Sequence, residues 1–110
     1  MNADTWLVVP LYNEGTVVRE VILEARKTFQ NIVCVDDGSS DNSVEEALAG
    51  GAVVVSHPIN LGQGAALQTG IDFALLQPGA EYFVTFDSDG QHRTEDAAMM
   101  VERLRNEPLD

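Results

Sequence analysis

The chain has 110 residues, 18 acidic and 6 basic for a formal net charge of −12, with 45% hydrophobic residues and one cysteine. That length accommodates one domain. The acidic balance argues against nucleic acid or an anionic lipid surface as a partner, because no local basic patch offsets it. It also lacks a basic leader followed by an apolar stretch, and no run approaches the ~18 apolar residues of a membrane span, so a cytoplasmic setting is expected.

Apolar periodicity alternates between short continuous runs and helical spacing along the chain, the pattern of a parallel sheet covered by helices. The first strand is read at Thr5–Val9, followed by a helical stripe of Val17, Val18, Val21, Ile22, Ala25 and Phe29. The second strand is Asn31–Asp36. It contains Cys34, which reads as a small buried hydrophobe in a reducing compartment. Ser43 and Glu46 form a capping-box pattern opening the second helix, and Gly50-Gly51 ends it. A third strand at Ala52–His57 leads through glycines and alanines into a third helix, and the fourth strand is Tyr82–Asp87. Thr94 caps a last helix with the stripe Ala97, Met100, Val101 and Leu104. Glu95 and Asp96 in its first turn and Arg103 and Arg105 in its last suit the helix dipole.

The expected fold is therefore α/β, an open parallel sheet with helices on both faces in the order βαβαβαβα. Right-handed crossovers put the first strand between the second and the fourth, with the third outside the second.

The polar clusters collect where strands end: Pro10 to Glu14, Asp36 to Asp41, His57 to Gly64, and Asp87 to His92. In open parallel sheets the loops at the carboxyl ends of the strands line one crevice, so clusters far apart in sequence converge on one ligand site. Asp87 and Asp89 point the same way if that segment is extended, and hard oxygen ligands at that spacing suit Mg²⁺ or Mn²⁺. Gln91 adds a neutral carbonyl oxygen, and His92 adds an imidazole. Asp36 to Asp41 contains a turn at Gly38 and a cap at Asp41. Two adjacent carboxylates exceed what a turn requires, and Asp37 suits the N–H donors of a nucleobase. Asn60 to Ala66 enters a helix through Gly62 and Gly64. These glycines serve either a close approach of backbone N–H groups to a ligand or loop, or close packing of helix on sheet.

Four strings, Val8-Val9-Pro10-Leu11-Tyr12-Asn13-Glu14, Val35-Asp36-Asp37-Gly38-Ser39-Ser40-Asp41, Asn60-Leu61-Gly62-Gln63-Gly64-Ala65-Ala66 and Phe86-Asp87-Ser88-Asp89-Gly90-Gln91-His92, resemble in order the family 2 glycosyltransferases of GT-A fold. Gln91-His92 after the D-x-D is most similar to the subgroup that moves sugars from nucleotide sugars to polyprenyl or dolichyl phosphates. The resemblance implies the Rossmann-like, nucleotide-sugar-binding half of a GT-A fold. Pro10, Tyr12 and Glu14 would line the nucleoside pocket, Asp37 would contact the base, and Asp87 would lie near the ribose or the metal. Asp89 and Gln91 would help hold Mg²⁺ or Mn²⁺ on the diphosphate. It implies a nucleotide sugar donor, a polyprenyl phosphate acceptor, and work at the cytoplasmic face of a membrane in a longer protein.

The sequence departs from the family pattern in two places. Glutamines stand at Gln63 and Gln68, where members often carry a basic residue. The family's acceptor-binding half and catalytic base lie beyond the D-x-D, whereas the chain ends about eighteen residues after His92, so the catalytic base is not assigned and a truncated domain is expected. Surface uncovered in this way favours self-association. Nucleotidyl transfer and a non-catalytic nucleotide-binding domain are the alternatives. The first usually places a glycine-rich basic loop where this chain has Tyr12-Asn13-Glu14. A phospho-acceptor receiver fits less well, because its lysine ends a strand and the only lysine here, Lys27, lies on a helix.

Overall fold

The computed structural model describes residues 4–85 and the backbone of 101–103. Five strands form one sheet: β1 (Thr5–Leu11), β2 (Asn31–Asp36), β3 (Val53–Ser56), β4 (Tyr82–Thr85) and β5 (Val101–Arg103). Between them lie α1 (Val18–Ala25), α2 (Ser43–Gly50) and α3 (Gln63–Leu75). The strand order is β3-β2-β1-β4-β5, with β1 to β4 mutually parallel, so β1 sits centrally as expected.

Both faces of the sheet are covered, which is why its strands read as continuous apolar runs. Alternate residues go to opposite faces. Leu7, Val9, Leu11, Ile32 and Cys34 pack against Val18, Ile22 and Ala25 of α1 and Ala47 of α2. Trp6, Val8, Val33 and Val55 pack against Leu67, Ile71 and Ala74 of α3. Trp6 and Phe73 meet edge to face with ring centroids 5.6 Å apart. Burial, reinforced by the nearby Asp36 carboxylate, pushes the Cys34 thiol up to about 12, so it stays protonated and unreactive at neutral pH.

Three sequence expectations are corrected. Val101–Arg103, read as part of a helical stripe, is a strand antiparallel to β4, with Val101 opposite Val84 and Arg103 opposite Tyr82. The outer edge of β4 carries backbone donors and acceptors that need partners, and pairing with β5 supplies them where a helix would not. The remainder of that expected helix, including Thr94, Ala97, Met100 and Leu104, lies outside the described residues. Ser43 does not act as the N-cap of α2. That position is Asn42 without a side-chain bond, and the Ser43 hydroxyl is buried and committed to other loops. Finally, Phe29 packs in the core but lies beyond the end of α1 at Ala25, in a turn closed by its N–H to the Ala25 carbonyl.

Of the glycines along α3, Gly70 is the one that permits close packing. A Cβ there would lie 2.4 Å from Val8 Cγ1 and 3.1 Å from Val35 Cγ2, whereas Gly62 and Gly64 face open space. Val8 is fully buried and its β-branched side chain has little rotamer freedom to yield. Gly70→Ala is therefore expected to destabilise the fold by about 1–3 kcal/mol despite its better helix propensity. Urea denaturation checks this, and a stabilised variant would contradict the packing argument.

Candidate functional site

The parallel arrangement brings the ends of β1, β2 and β3 to one edge. Register pairs Leu11 with Asp36 and Asp36 with Ser56, so the chain leaves all three strands side by side. The Asp37 N–H continues the ladder to the Leu11 carbonyl, and the His57 N–H continues it to the Asp36 carbonyl, both at 2.8 Å. β4 runs the same way and is followed to Thr85, which is next to the register partner of Leu7 and itself opposite Val8.

A cavity of about 230 Å³ opens at this edge. Pro10, Leu11, Tyr12 and Glu14 line it from the end of β1 and its loop, and Asp37 from the end of β2. Asn60, Gly62, Gln63 and Ala66 line it from the entry into α3. The structure thus brings together Pro10, Tyr12, Glu14 and Asp37, four residues singled out from sequence. Asp87, Asp89 and Gln91 lie outside the described residues. Among the described residues no three His, Cys, Asp or Glu side chains gather as a metal site. Gln63 lies in the pocket wall, while Gln68 donates to Asp72 along the exposed side of α3 at 2.9 Å. The charged residues of the described lining, Glu14 and Asp37, are both acidic.

Asp37 is 3% exposed. Its Oδ1 accepts from His57 Nδ1 at 2.8 Å and from the Leu61 N–H at 2.9 Å, and its Oδ2 accepts from the Gly62 N–H at 2.8 Å. Burial pushes this carboxyl up, but the bonds from His57, Leu61 and Gly62 and the attraction of the imidazole outweigh it and hold the pKa below the ordinary carboxylate value. Gly62, with φ +104°, supplies a backbone conformation that turns its N–H to the carboxylate at the mouth of α3. Of the two roles open to this glycine pair, the approach of backbone N–H to a neighbouring loop is realised at Gly62, and the packing role is not.

The loop after β1 is braced by the loop after β2. Asn13, with φ +52°, donates its N–H to Ser39 Oγ at 2.9 Å and accepts from the Ser40 N–H at 2.9 Å. Glu14 N–H donates to Ser43 Oγ at 2.8 Å, Gly15 N–H donates to Asp41 Oδ2 at 3.1 Å, and the Ser43 hydroxyl donates in turn to Asp41 Oδ1. Asp41 also accepts the Ser43 N–H at 2.9 Å, an Asx-type turn one residue before the N-cap Asn42 rather than the cap position expected of it. A Cβ on Gly15 would lie 2.0 Å from Asn42 Oδ1, so the two loops touch too closely for any side chain there. These bonds fix the backbone that presents Tyr12 and Glu14. On Asp36, Oδ2 accepts the Ser39 N–H at 3.3 Å, and buried Oδ1 has no hydrogen-bond partner among the described residues.

Sequence reasoning missed His57 and Thr69 as site residues. His57 was visible as a strand end, and its only signal was its place at the start of the third polar cluster. Thr69 carried no signal at all, because its partner is contributed by a different element.

Parallel strands in the order β3-β2-β1-β4, extended by antiparallel β5 and with polar loops gathered at one edge, are the arrangement expected of a GT-A fold. An uncharacterized protein of Methanocaldococcus jannaschii is 40% identical over 108 residues, covering 97% of this chain and 44% of that protein. The UDP-N-acetylglucosamine–dolichyl-phosphate N-acetylglucosaminyltransferase of Methanococcus voltae is 32% identical over 120 residues, covering 93% and 47%. Glucosyl-3-phosphoglycerate synthase of Mycobacterium tuberculosis, crystallised with Mn²⁺ and UDP-glucose, superposes with a TM-score of 0.65 at 27% identity, covering 77% of this chain and 33% of that one. The glycosyl transferase family 2 model matches residues 6–110, and the chain belongs to that family. It spans about half the length of the two archaeal relatives and a third of the mycobacterial synthase.

The Asp37 carboxylate generates a pH prediction. Its pKa is lowered by folding, so its contribution to stability is fully present above the unfolded value of 3.8 and is lost as pH falls through the folded value. Asp37→Asn is expected to reduce the melting temperature at pH 7 and to flatten its decline on the acid side of pH 4. Thermal melts from pH 7 to 3 check this, and parallel curves for the two proteins would refute it.

Proposed function

We propose that this chain is the donor-binding part of a metal-dependent glycosyltransferase that moves a sugar from a nucleoside diphosphate sugar to an acceptor, with a polyprenyl phosphate as the favoured acceptor class. The observation that carries the reading is the convergence of Pro10, Tyr12, Glu14 and Asp37 on one cavity that runs to the start of α3. In this reading Pro10 and Glu14 flank the nucleoside, the half-exposed ring of Tyr12 offers an aromatic face, and Asp37 accepts a base N–H. The polyprenyl acceptor is supported by the dolichyl-phosphate activity in the name of the Methanococcus voltae relative.

An acidic crevice without a cation in its described wall repels a diphosphate, so the chemistry of the donor set fits a divalent ion carried by the D-x-D segment. Asp87, Asp89 and Gln91 would hold it through oxygen atoms, which suits Mg²⁺ or Mn²⁺. When bound, the ion neutralises the diphosphate and acts as a Lewis acid on the departing nucleoside diphosphate. The chain's own residues orient the nucleoside, with the Asn13 and Ser43 bonds keeping the Tyr12–Glu14 backbone in place before the donor arrives.

The relatives are about twice as long as this chain, and in this reading acceptor binding and the general base belong to that further length. The whole protein would act at the cytoplasmic face of a membrane. Among the described residues no helix is long and apolar enough to cross one. Self-association of this chain belongs to the same reading, and sedimentation velocity showing a monomer at high concentration would remove it.

Calorimetry is expected to show weak binding of UDP or GDP that depends on Mn²⁺ or Mg²⁺, with Asp89→Ala abolishing the dependence. Equal affinity with and without EDTA would contradict the metal role. Incubated with nucleotide sugars and a polyprenyl phosphate, the 110-residue chain is expected to form no glycolipid. Product at rates near those of a full-length relative would place the acceptor site within these residues.

A further inference from the structure

A carboxylate offers about four acceptor directions, two on each oxygen. On Asp37, Oδ1 already receives two donors, His57 Nδ1–H at 2.8 Å and the Leu61 N–H at 2.9 Å. Oδ2 receives one, the Gly62 N–H at 2.8 Å. One acceptor direction is left, and it is on Oδ2. The occupancy of Oδ1 is enforced from behind, because His57 Nε2 lies 2.8 Å from Thr69 Oγ1 on α3. A carboxylate only accepts, so the imidazole presents an N–H to Asp37 from Nδ1, and the contact of Nε2 with Thr69 holds the ring in that orientation. The His57 backbone is held by its N–H to the Asp36 carbonyl, and the ring, about 10% exposed, is not among the residues lining the cavity.

We propose that His57 is a positioning residue that sets nucleobase specificity: together with the Leu61 amide it fills Oδ1, leaving Asp37 able to accept one N–H from a ligand. The proposal rests on the reading of this cavity as a nucleotide site. A pyrimidine imide of the uracil type presents one ring N–H and fits the single remaining direction. Guanine presents a ring N–H and an adjacent amino group, which a carboxylate open on both oxygens accepts side by side. With Oδ1 filled, the guanine amino group is left without a partner against a buried wall, and that loss falls on GDP alone.

Calorimetric titration of the chain with UDP and with GDP, each in the presence of Mn²⁺, tests this. UDP is expected to bind more tightly by roughly tenfold or more. His57→Ala opens Oδ1 and is expected to bring the ratio of the two affinities toward one. His57→Asn, whose amide can donate the same bond, is expected to retain the preference. A purely structural role for His57 would weaken both nucleotides alike, so an unchanged ratio in His57→Ala overturns the proposal, as does a wild-type chain that does not discriminate or prefers GDP. If circular dichroism shows His57→Ala unfolded, His57→Leu removes the donor to Oδ1 while filling the same space. It is expected to lower the ratio in the same direction, and no change there also overturns the proposal. A wild-type chain that discriminates while both variants match it leaves the nucleotide reading standing. A wild-type chain that binds neither nucleotide removes that reading and this proposal together.

Discussion

A carboxylate persists in a protein interior only where donors surround it, and Asp37 is surrounded by donors from separate elements: an imidazole at the end of β3 and two backbone N–H groups at the entry to α3. The arrangement of the crevice depends on this one cluster. It joins the second strand to the third and sets the start of α3. Replacing any donor with an apolar group would leave a buried acceptor short of a partner, which is why the loop from His57 to Gly62 has so little freedom in its path.

The loop after β1 depends on a second set of bonds of the same kind. The N–H groups of Asn13, Glu14 and Gly15 are satisfied by Ser39, Ser43 and Asp41 of the adjacent loop, and the Asn13 side chain accepts from Ser40 in return. The string Asp36 to Asp41 therefore does two jobs. Asp37 turns toward the α3 side, while Asp41 and the serines turn toward the loop that carries Tyr12 and Glu14. A parallel sheet makes this possible, since neighbouring strands end at the same edge and their loops touch without long excursions.

Charge links this geometry to chemistry. The described cavity wall has two carboxylates and no basic residue, and glutamine stands in the lining at Gln63. Such a wall repels a phosphorylated ligand unless a cation lies between them. Cys34 and Asp36, by contrast, face the α1 and α2 side of the sheet, where the thiol is held protonated.

Strand order, the central place of β1, helices on both faces and the convergence of Pro10, Tyr12, Glu14 and Asp37 were legible in the residues, because burial on both faces writes continuous apolar runs and parallel topology gathers the strand ends. Val101–Arg103 was misread because a three-residue strand has too few positions for its period to show, and the demand that made it a strand came from the β4 edge. Ser43 was misread because its hydroxyl answers Glu14, 29 positions away, in preference to its own helix. The partners of Asp37 were invisible for the same reason. Sequence by itself determined that Pro10, Tyr12, Glu14 and Asp37 reach the crevice. Only the tertiary structure decided which of their atoms are already spent on one another, since hydrogen-bond partners so distant along the chain are selected by the packing of separate elements.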